Sequence, residues 1–207
     1  KTLRERIVYG EALEDSGTYD PRDDDLRGRA VYVYDGAGRV ESAYDWKGSA
    51  TSVTRRFADD GESVPNWTVH DGYAYPFDGD DSISVDDFTT SAEADLESET
   101  FVATSTFDAL DRVVTATAPD GQLTENGFDA GGRLTSVSVT TRDTATTEVV
   151  SAITYNARGQ RESIAYGNGA TTTHTYEADT FRLSRLYTEG DPDGDSATDA
   201  VQDLNYL

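Results

Sequence analysis

The 207-residue chain contains neither cysteine nor methionine. Without cysteine there is no disulfide framework, no thiolate metal centre and no cysteine nucleophile. Lysine is almost missing too: only Lys1 and Lys47 occur, and every other cation is arginine. No apolar run approaches the ~20 residues of a membrane-spanning helix. No secretory leader is visible at Lys1, and the lack of an initiator methionine implies a fragment or a processed chain. Apolar residues make up 36% of the chain and the mean hydropathy is −0.62. That is thin for a core enclosed on all sides. It suits a sheet with one packed face and one wet face.

Charge is the opposite extreme. Forty acidic residues against 17 basic ones give a formal charge of −23. Such an excess repels phosphate and excludes nucleic acid as a partner. It resembles proteins of salt-in halophiles, whose carboxylates stay hydrated and screened. An acidic, calcium-binding surface is the second reading of the same composition.

The chain is built on one recurring phrase: an aromatic, an acid or amide, a short loop with Gly or a stand-in, then Arg and an apolar residue. Its clearest copies are Tyr34-Asp35-Gly36-Ala37-Gly38-Arg39-Val40, Phe107-Asp108-Ala109-Leu110-Asp111-Arg112-Val113 and Phe128-Asp129-Ala130-Gly131-Gly132-Arg133-Leu134. Looser copies start at Tyr44, at Tyr155-Asn156 with Gly159, and at Tyr176, where one residue is added. Each phrase reads as a hairpin turn. The aromatic ends a strand on its packed face, and the Asp or Asn bonds the backbone two residues on. Gly38, Gly132 and Gly159 supply positive φ. Arg39, Arg112 and Arg133 then restart the strand on the wet side, near enough to an Asp for a structural bridge.

These phrases resemble the YD repeats of the RHS family. Pro119-Asp120-Gly121, the run Tyr155 to Ile164, Tyr166-Gly167-Asn168-Gly169, Thr180 to Leu183 and Val201 to Tyr206 are similar to the repeat region of the B/C components of ABC-type toxin complexes. So are Arg4 to Glu11 and Leu26 to Arg29. The resemblance implies a spiral of hairpins forming a hollow shell around a C-terminal toxic polypeptide. It implies as partners the remainder of that shell and the enclosed effector, and a secreted or cell-surface location. Family members also carry an aspartyl autoprotease. Its core would follow Val201–Tyr206, so this stretch is expected to lack cleavage activity.

The expected fold is therefore all-β: a curved, mostly antiparallel sheet of consecutive hairpins over residues 1–207. Strands are predicted at Arg4–Tyr9, Arg29–Tyr34, Val40–Tyr44, Ser49–Phe57, Phe101–Phe107, Arg112–Ala118 and Gln122–Phe128. Others follow at Leu134–Thr141, Val149–Tyr155, Glu162–Tyr166, Ala170–Tyr176, Leu183–Thr188 and Asp203–Leu207. Glu14 to Asp25 reads as an acidic loop. Asn168-Gly169 is the strongest signal for a two-residue hairpin turn. Residues 68–95 depart from the pattern as an irregular acidic insert. Asp59 to Glu99 reads as a surface loop with short strands, with a helical turn or two in Ser91–Glu99. Trp67, Tyr73, Tyr75 and Phe77 imply that it packs somewhere.

Catalytic candidates are few. His174 lies in an alternating strand. His70 sits beside Asp71 without a serine in a nucleophile-elbow context. Carboxylate pairs are too common here to mark an acid–base site. Asp191, Asp193, Asp195 and Asp199 have the spacing of a calcium loop, but Ser196 and Gln202 stand where an EF-hand needs Gly and Glu. A solvated acidic loop is the favoured reading, and no other cofactor is indicated. The chain reads as a non-enzymatic scaffold, with a cell-surface adhesin or glycan-binding repeat as the alternative.

Overall fold

Thirteen strands, one α-helix and 3-10 turns at Gly10–Ser16 and Glu93–Asp95 form the described chain. The computed structural model describes residues 4–16, 24–59, 61, 65, 67, 85–143, 145–191 and 198–206. It divides into two compact units, Lys1–Arg112 with Ala118–Asp120, and Val113–Thr117 with Gly121–Leu207.

The first unit holds β1 (Arg6–Tyr9), β2 (Ala30–Asp35), β3 (Gly38–Tyr44), β4 (Ala50–Phe57) and β5 (Phe101–Phe107). Consecutive strands pair antiparallel in chain order. Direct partners share a face of a sheet. Arg6, Tyr34, Arg39 and Arg56 therefore lie on one face, and Ile7, Val33, Val40, Arg55 and Phe101 on the other. The helix α1 (Val85–Ala92) and a 3-10 turn at Glu93–Asp95 cover the first of these. Phe88 and Ala92 are one helical turn apart and point the same way. With Leu96, Trp67, Tyr34 and Val8 they form the core cluster of this unit. Trp67 and Phe88 meet the Tyr34 ring edge-on, at centroid distances of 5.1 and 4.9 Å. Such contacts are worth ~1 kcal/mol each beyond the area they bury.

Here the structure corrects the sequence reading. The Asp59–Glu99 stretch was expected as a surface loop with short strands and no more than a helical turn or two, in Ser91–Glu99. Val85–Ala92 is instead an α-helix, followed by a 3-10 turn at Glu93–Asp95, and its Phe88 and Ala92 are fully buried. The helix hides in the sequence because it is short, and only Phe88 and Ala92 mark its 3.6-residue period. The predicted acidic loop also begins differently, as a 3-10 helix at Gly10–Ser16. His70, Asp71, Tyr73, Tyr75 and Phe77 lie outside the described residues.

The second unit holds β6 (Val113–Thr117), β7 (Leu123–Phe128), β8 (Leu134–Thr140), β9 (Thr146–Tyr155), β10 (Arg161–Tyr166), β11 (Thr171–Tyr176), β12 (Leu183–Gly190) and β13 (Asp199–Asn205). Each pairs antiparallel with the next. Val, Thr and Tyr dominate these segments and fit a pleated, half-buried surface. Register shifts recur at Gly127/Phe128, Val137/Ser138, Ala165/Tyr166, Thr175/Tyr176 and Thr188/Glu189. Bulges of this kind increase local twist. The all-β, antiparallel, hairpin-by-hairpin architecture expected from the sequence is the one observed. Among the described residues no helix is long and apolar enough to cross a membrane.

Candidate functional surface: the repeat turns

The repeat phrase has one dominant geometry. In the turn after Phe107 the N–H of Asp108 donates to the Arg112 carbonyl, and the N–H of Asp111 to the Asp108 carbonyl. Asp129 with Arg133, Asn156 with Gln160, Asp45 with Ser49 and Tyr166 with Ala170 repeat this three-residue loop. The closing position must be left-handed. Gly48, Gly132, Gly159 and Gly169 occupy it, at φ of 106°, 83°, 81° and 87°. Asn168-Gly169 is thus not a two-residue turn. The loop is Gly167-Asn168-Gly169, closed by the N–H of Tyr166 on the Ala170 carbonyl and the N–H of Gly169 on the Tyr166 carbonyl, and a Cβ at Gly167 would strike the Glu148 carbonyl oxygen. Only a glycine permits that approach of one strand to the other.

Where the loop opens on Asp or Asn, that side chain organises it. One Asp108 oxygen accepts the N–H groups of Leu110 (2.8 Å) and Arg112 (3.1 Å), and the other accepts Nε of Arg112 at 2.7 Å. Asp129 treats Arg133 the same way, with both bonds at 2.9 Å. Asn156 accepts from the N–H of Arg158 and Gln160 and donates to the Gln160 side chain at 3.0 Å. The Arg112 guanidinium holds the Asp108 carboxyl below its ordinary range. The N–H of Arg133, helped by its guanidinium, does so for Asp129. These arginines are therefore committed to their own turns.

The first copy differs. Asp35 pairs directly with Gly38, leaving only Gly36-Ala37 between them, and Gly38 has φ of 132°. Arg39 then pairs with Tyr34 and shares its covered face. Expected on the wet side, Arg39 is instead buried, 9% exposed, and ion-paired to Glu93 and Glu41. Asp35 turns to Arg55, with bonds of 2.7 and 2.8 Å, and its carbonyl accepts Nε1 of Trp67 at 2.9 Å. Arg56 also pairs with Glu93, so one carboxylate ties β3 and β4 to the turn after α1.

Two devices were invisible in the sequence. Tyr44, Tyr155 and Tyr176 donate their hydroxyls to the carbonyls of Ala30, Leu134 and Arg161, at 2.8, 2.7 and 2.8 Å. In two of these the residue before that carbonyl is an arginine lying over the ring: Arg29 on Tyr44 and Arg133 on Tyr155. The second device concerns the turns that lack the left-handed glycine. Asp111 (φ 62°) and Phe181 (φ 58°) stand in its place. Lys47 reaches the Asp111 carboxylate at 2.9 Å and the Ala109 carbonyl at 2.7 Å. Gln160 donates to the Phe181 carbonyl at 2.8 Å, while Arg158 stacks 3.3 Å from the Phe181 ring centre. A long side chain from another turn steadies each strained loop.

His174 lies on β11 opposite Leu186, in a strand environment where burial, with Arg161 nearby, lowers its pKa. Asp191 follows β12 and Asp199 opens β13, whereas Asp193 and Asp195 lie outside the described residues. Among the described residues no group of three or more His, Asp or Glu is placed to hold a metal.

Hairpins closed by an aromatic, an Asx residue, a left-handed position and an Asx-bound Arg or its equivalent are the structural form of the YD-like phrase that the sequence repeats. The chain is similar in sequence to subunits of bacterial toxins. It is 28% identical over 209 residues, 99% of its length, to toxin subunit YenC2 of Yersinia entomophaga. It is 34% identical over 119 residues, 58% of its length, to toxin subunit YenC1 of the same organism. These matches span 19% and 11% of those proteins, so the chain corresponds to about a fifth of YenC2. The crystal structure of TcdB2-TccC3 superposes on the whole chain with a TM-score of 0.74 and 25% identity, over 9% of its own length. A Photorhabdus luminescens Tc holotoxin pore does so with 0.75 and 24%, over 8%. No family model matches the chain.

Proposed function

We propose that this chain is a stretch of wall in an RHS-type toxin shell: a scaffold that encloses a C-terminal effector and performs no catalysis itself. The observation that carries this reading is the superposition on TcdB2-TccC3 across the whole chain. The chemistry of the turns agrees with it. Their charged groups are consumed by holding loops closed, and conserving hairpin shape is what a wall requires. A secreted route follows from the same reading. Its partners are the rest of the shell and the polypeptide within. Electron microscopy of the full-length protein tests it. The expected particle is hollow with density inside that disappears when the C-terminal region is removed. A particle without an internal cavity would refute the proposal.

A further inference from the structure

The chain has two Asn-Gly pairs, Asn126-Gly127 and Asn168-Gly169, and the fold treats them oppositely. An asparagine followed by glycine carries its own nucleophile. The backbone nitrogen of the glycine can attack the side-chain Cγ, and no Cβ stands in its way. Asn126 lies inside β7, opposite Val137 on β8, and Gly127 is opposite Ser136. The Asn126 side-chain amide donates to the Val113 carbonyl at 3.0 Å. Space beside Gly127 is taken by Ser136, whose Oγ lies 2.3 Å from where a Cβ would be. Closing a ring at Asn126 would mean pulling β7 away from its neighbours.

Asn168 is the middle residue of its loop and is exposed, as are the glycines on either side. Its Oδ1 accepts the N–H of Ala170 at 3.1 Å. That bond turns the side-chain carbonyl toward the chain that follows and draws electron density from Cγ. A Cβ built on Gly169 meets nothing within 4 Å, so the approach is open. The attacking nitrogen donates its own N–H to the Tyr166 carbonyl at 3.0 Å. That bond must open first. It is a single bond of an exposed turn, worth only ~1 kcal/mol net, and such turns open locally without the sheet. Asn156 differs again. Ala157 follows it with a methyl in the way, and both polar atoms of its side chain are engaged.

We propose that Asn168 is a self-modification site that loosens the β10–β11 hairpin as the protein ages. The Gly169 nitrogen loses its proton to solvent base and bonds to Cγ of Asn168. The Cγ–Nδ2 bond breaks and ammonia leaves. Water then opens the cyclic imide at either carbonyl. One opening gives aspartate. The other gives isoaspartate, in which the backbone runs through the former side chain. Each event consumes one water, releases one ammonia and adds one negative charge. Aspartate keeps the loop, since a carboxylate accepts backbone N–H groups as Asp108 and Asp129 do in theirs. Isoaspartate does not. It adds a methylene between β10 and β11, beside Gly167, whose N–H is bonded to the Val149 carbonyl at 3.1 Å and which has no room for a methyl against Glu148.

Ageing the folded protein in mildly alkaline buffer and weighing its tryptic peptides tests this. The peptide Glu162–Arg182 holds Asn168 and no other amide side chain. It should gain the mass of an amide turned to an acid at least tenfold faster than Val113–Arg133, which holds Asn126. Methylation by an isoaspartyl methyltransferase should mark part of the product. In urea the two sites should convert at comparable rates, which assigns the difference to the fold. Equal rates in the folded protein, or a faster Asn126, would overturn the site. Amide hydrogen exchange reads the consequence. Thr171–Tyr176 should exchange faster in aged protein than in Asn168→Asp, which carries the charge without the added methylene. Identical exchange in the two would overturn the loosening of the hairpin.

Discussion

Lys47 places its ammonium 2.9 Å from the carboxylate of Asp111, 64 residues further along the chain. It bonds the Ala109 carbonyl of the same loop. The loop needs this support because Asp111 holds a left-handed conformation that a glycine takes freely. Lys47→Ala should therefore cost about 1 kcal/mol, with both partners near the surface. In that background Asp111→Gly should recover most of the loss. A double-mutant cycle by urea denaturation measures the coupling. Additive effects would show that the lysine does not steady the turn.

Two glycines should differ sharply in what they tolerate. Gly159 is left-handed but open to solvent, and an added methyl meets nothing within 4 Å. Gly159→Ala should cost about 1 kcal/mol, the penalty of the backbone conformation. At Gly167 the new Cβ would strike the Glu148 carbonyl. Gly167→Ala should exceed about 3 kcal/mol, since strands β9 and β10 must separate. Similar unfolding midpoints for the two variants would contradict this geometry.

Removing a tyrosine hydroxyl probes the recurring strand-end contact. Tyr155→Phe leaves the ring and its Arg133 stack but strips the Leu134 carbonyl of its donor. A loss of about 1 kcal/mol is expected. Tyr187, whose ring carries Arg185 at 4.6 Å, serves as the comparison. Phenylalanine there should cost less than half as much.

The core of the first unit can be followed by fluorescence. Trp67 is fully buried and Trp46 is 73% exposed. Acrylamide should quench Trp46 and spare Trp67, as read from Trp46→Phe and Trp67→Phe variants. Phe88→Ala opens a cavity against Tyr34 and Trp67 and should cost about 3–5 kcal/mol. Trp67 emission should shift to the red with it. Unchanged emission would mean that α1 does not cover the tryptophan in solution.

Acid should erase one specific contact. The Arg55 guanidinium, with the N–H of Ala37 assisting and burial opposing, holds the Asp35 carboxyl below its ordinary value of 3.8. A lowered folded pKa means stability that is fully present above the unfolded value and lost as pH falls through the folded one. Wild type should thus melt above Asp35→Asn at pH 7. The gap should close below pH 3.8. Comparing the two proteins cancels the general relief of repulsion on acidification. A gap that persists at pH 2 would assign the effect to packing.

Salt acts on the whole charge. At −23, repulsion between carboxylates is long-ranged at low ionic strength and screened at high. Salt also weakens pairs such as Arg133 with Asp129 and Arg185 with Asp203. Those exposed pairs are worth only ~0–1 kcal/mol each. The melting temperature should therefore rise between about 50 mM and about 2 M potassium chloride. A flat or falling profile by circular dichroism would remove the halophile reading.

The strands, their order and most turns were legible in the sequence. Alternating Val, Thr and Tyr between Asx-Gly phrases has one physical outcome, since the side-chain period of a strand is two and each turn residue solves a local backbone problem. Phe101–Phe107, for example, was bounded to the residue. What depended on distant residues was not legible. Arg39 is buried because a loop one residue shorter puts it opposite Tyr34, beneath a helix some 50 positions later. Gly167 looks like an ordinary turn glycine until the Glu148 carbonyl comes up against it. Lys47 and Gln160 have no local signature at all, since the loops they support are 62 and 21 residues away. The sheet's two faces follow from alternation. Which carbonyl, carboxylate or ring each side chain meets was decided only when the strands came into register.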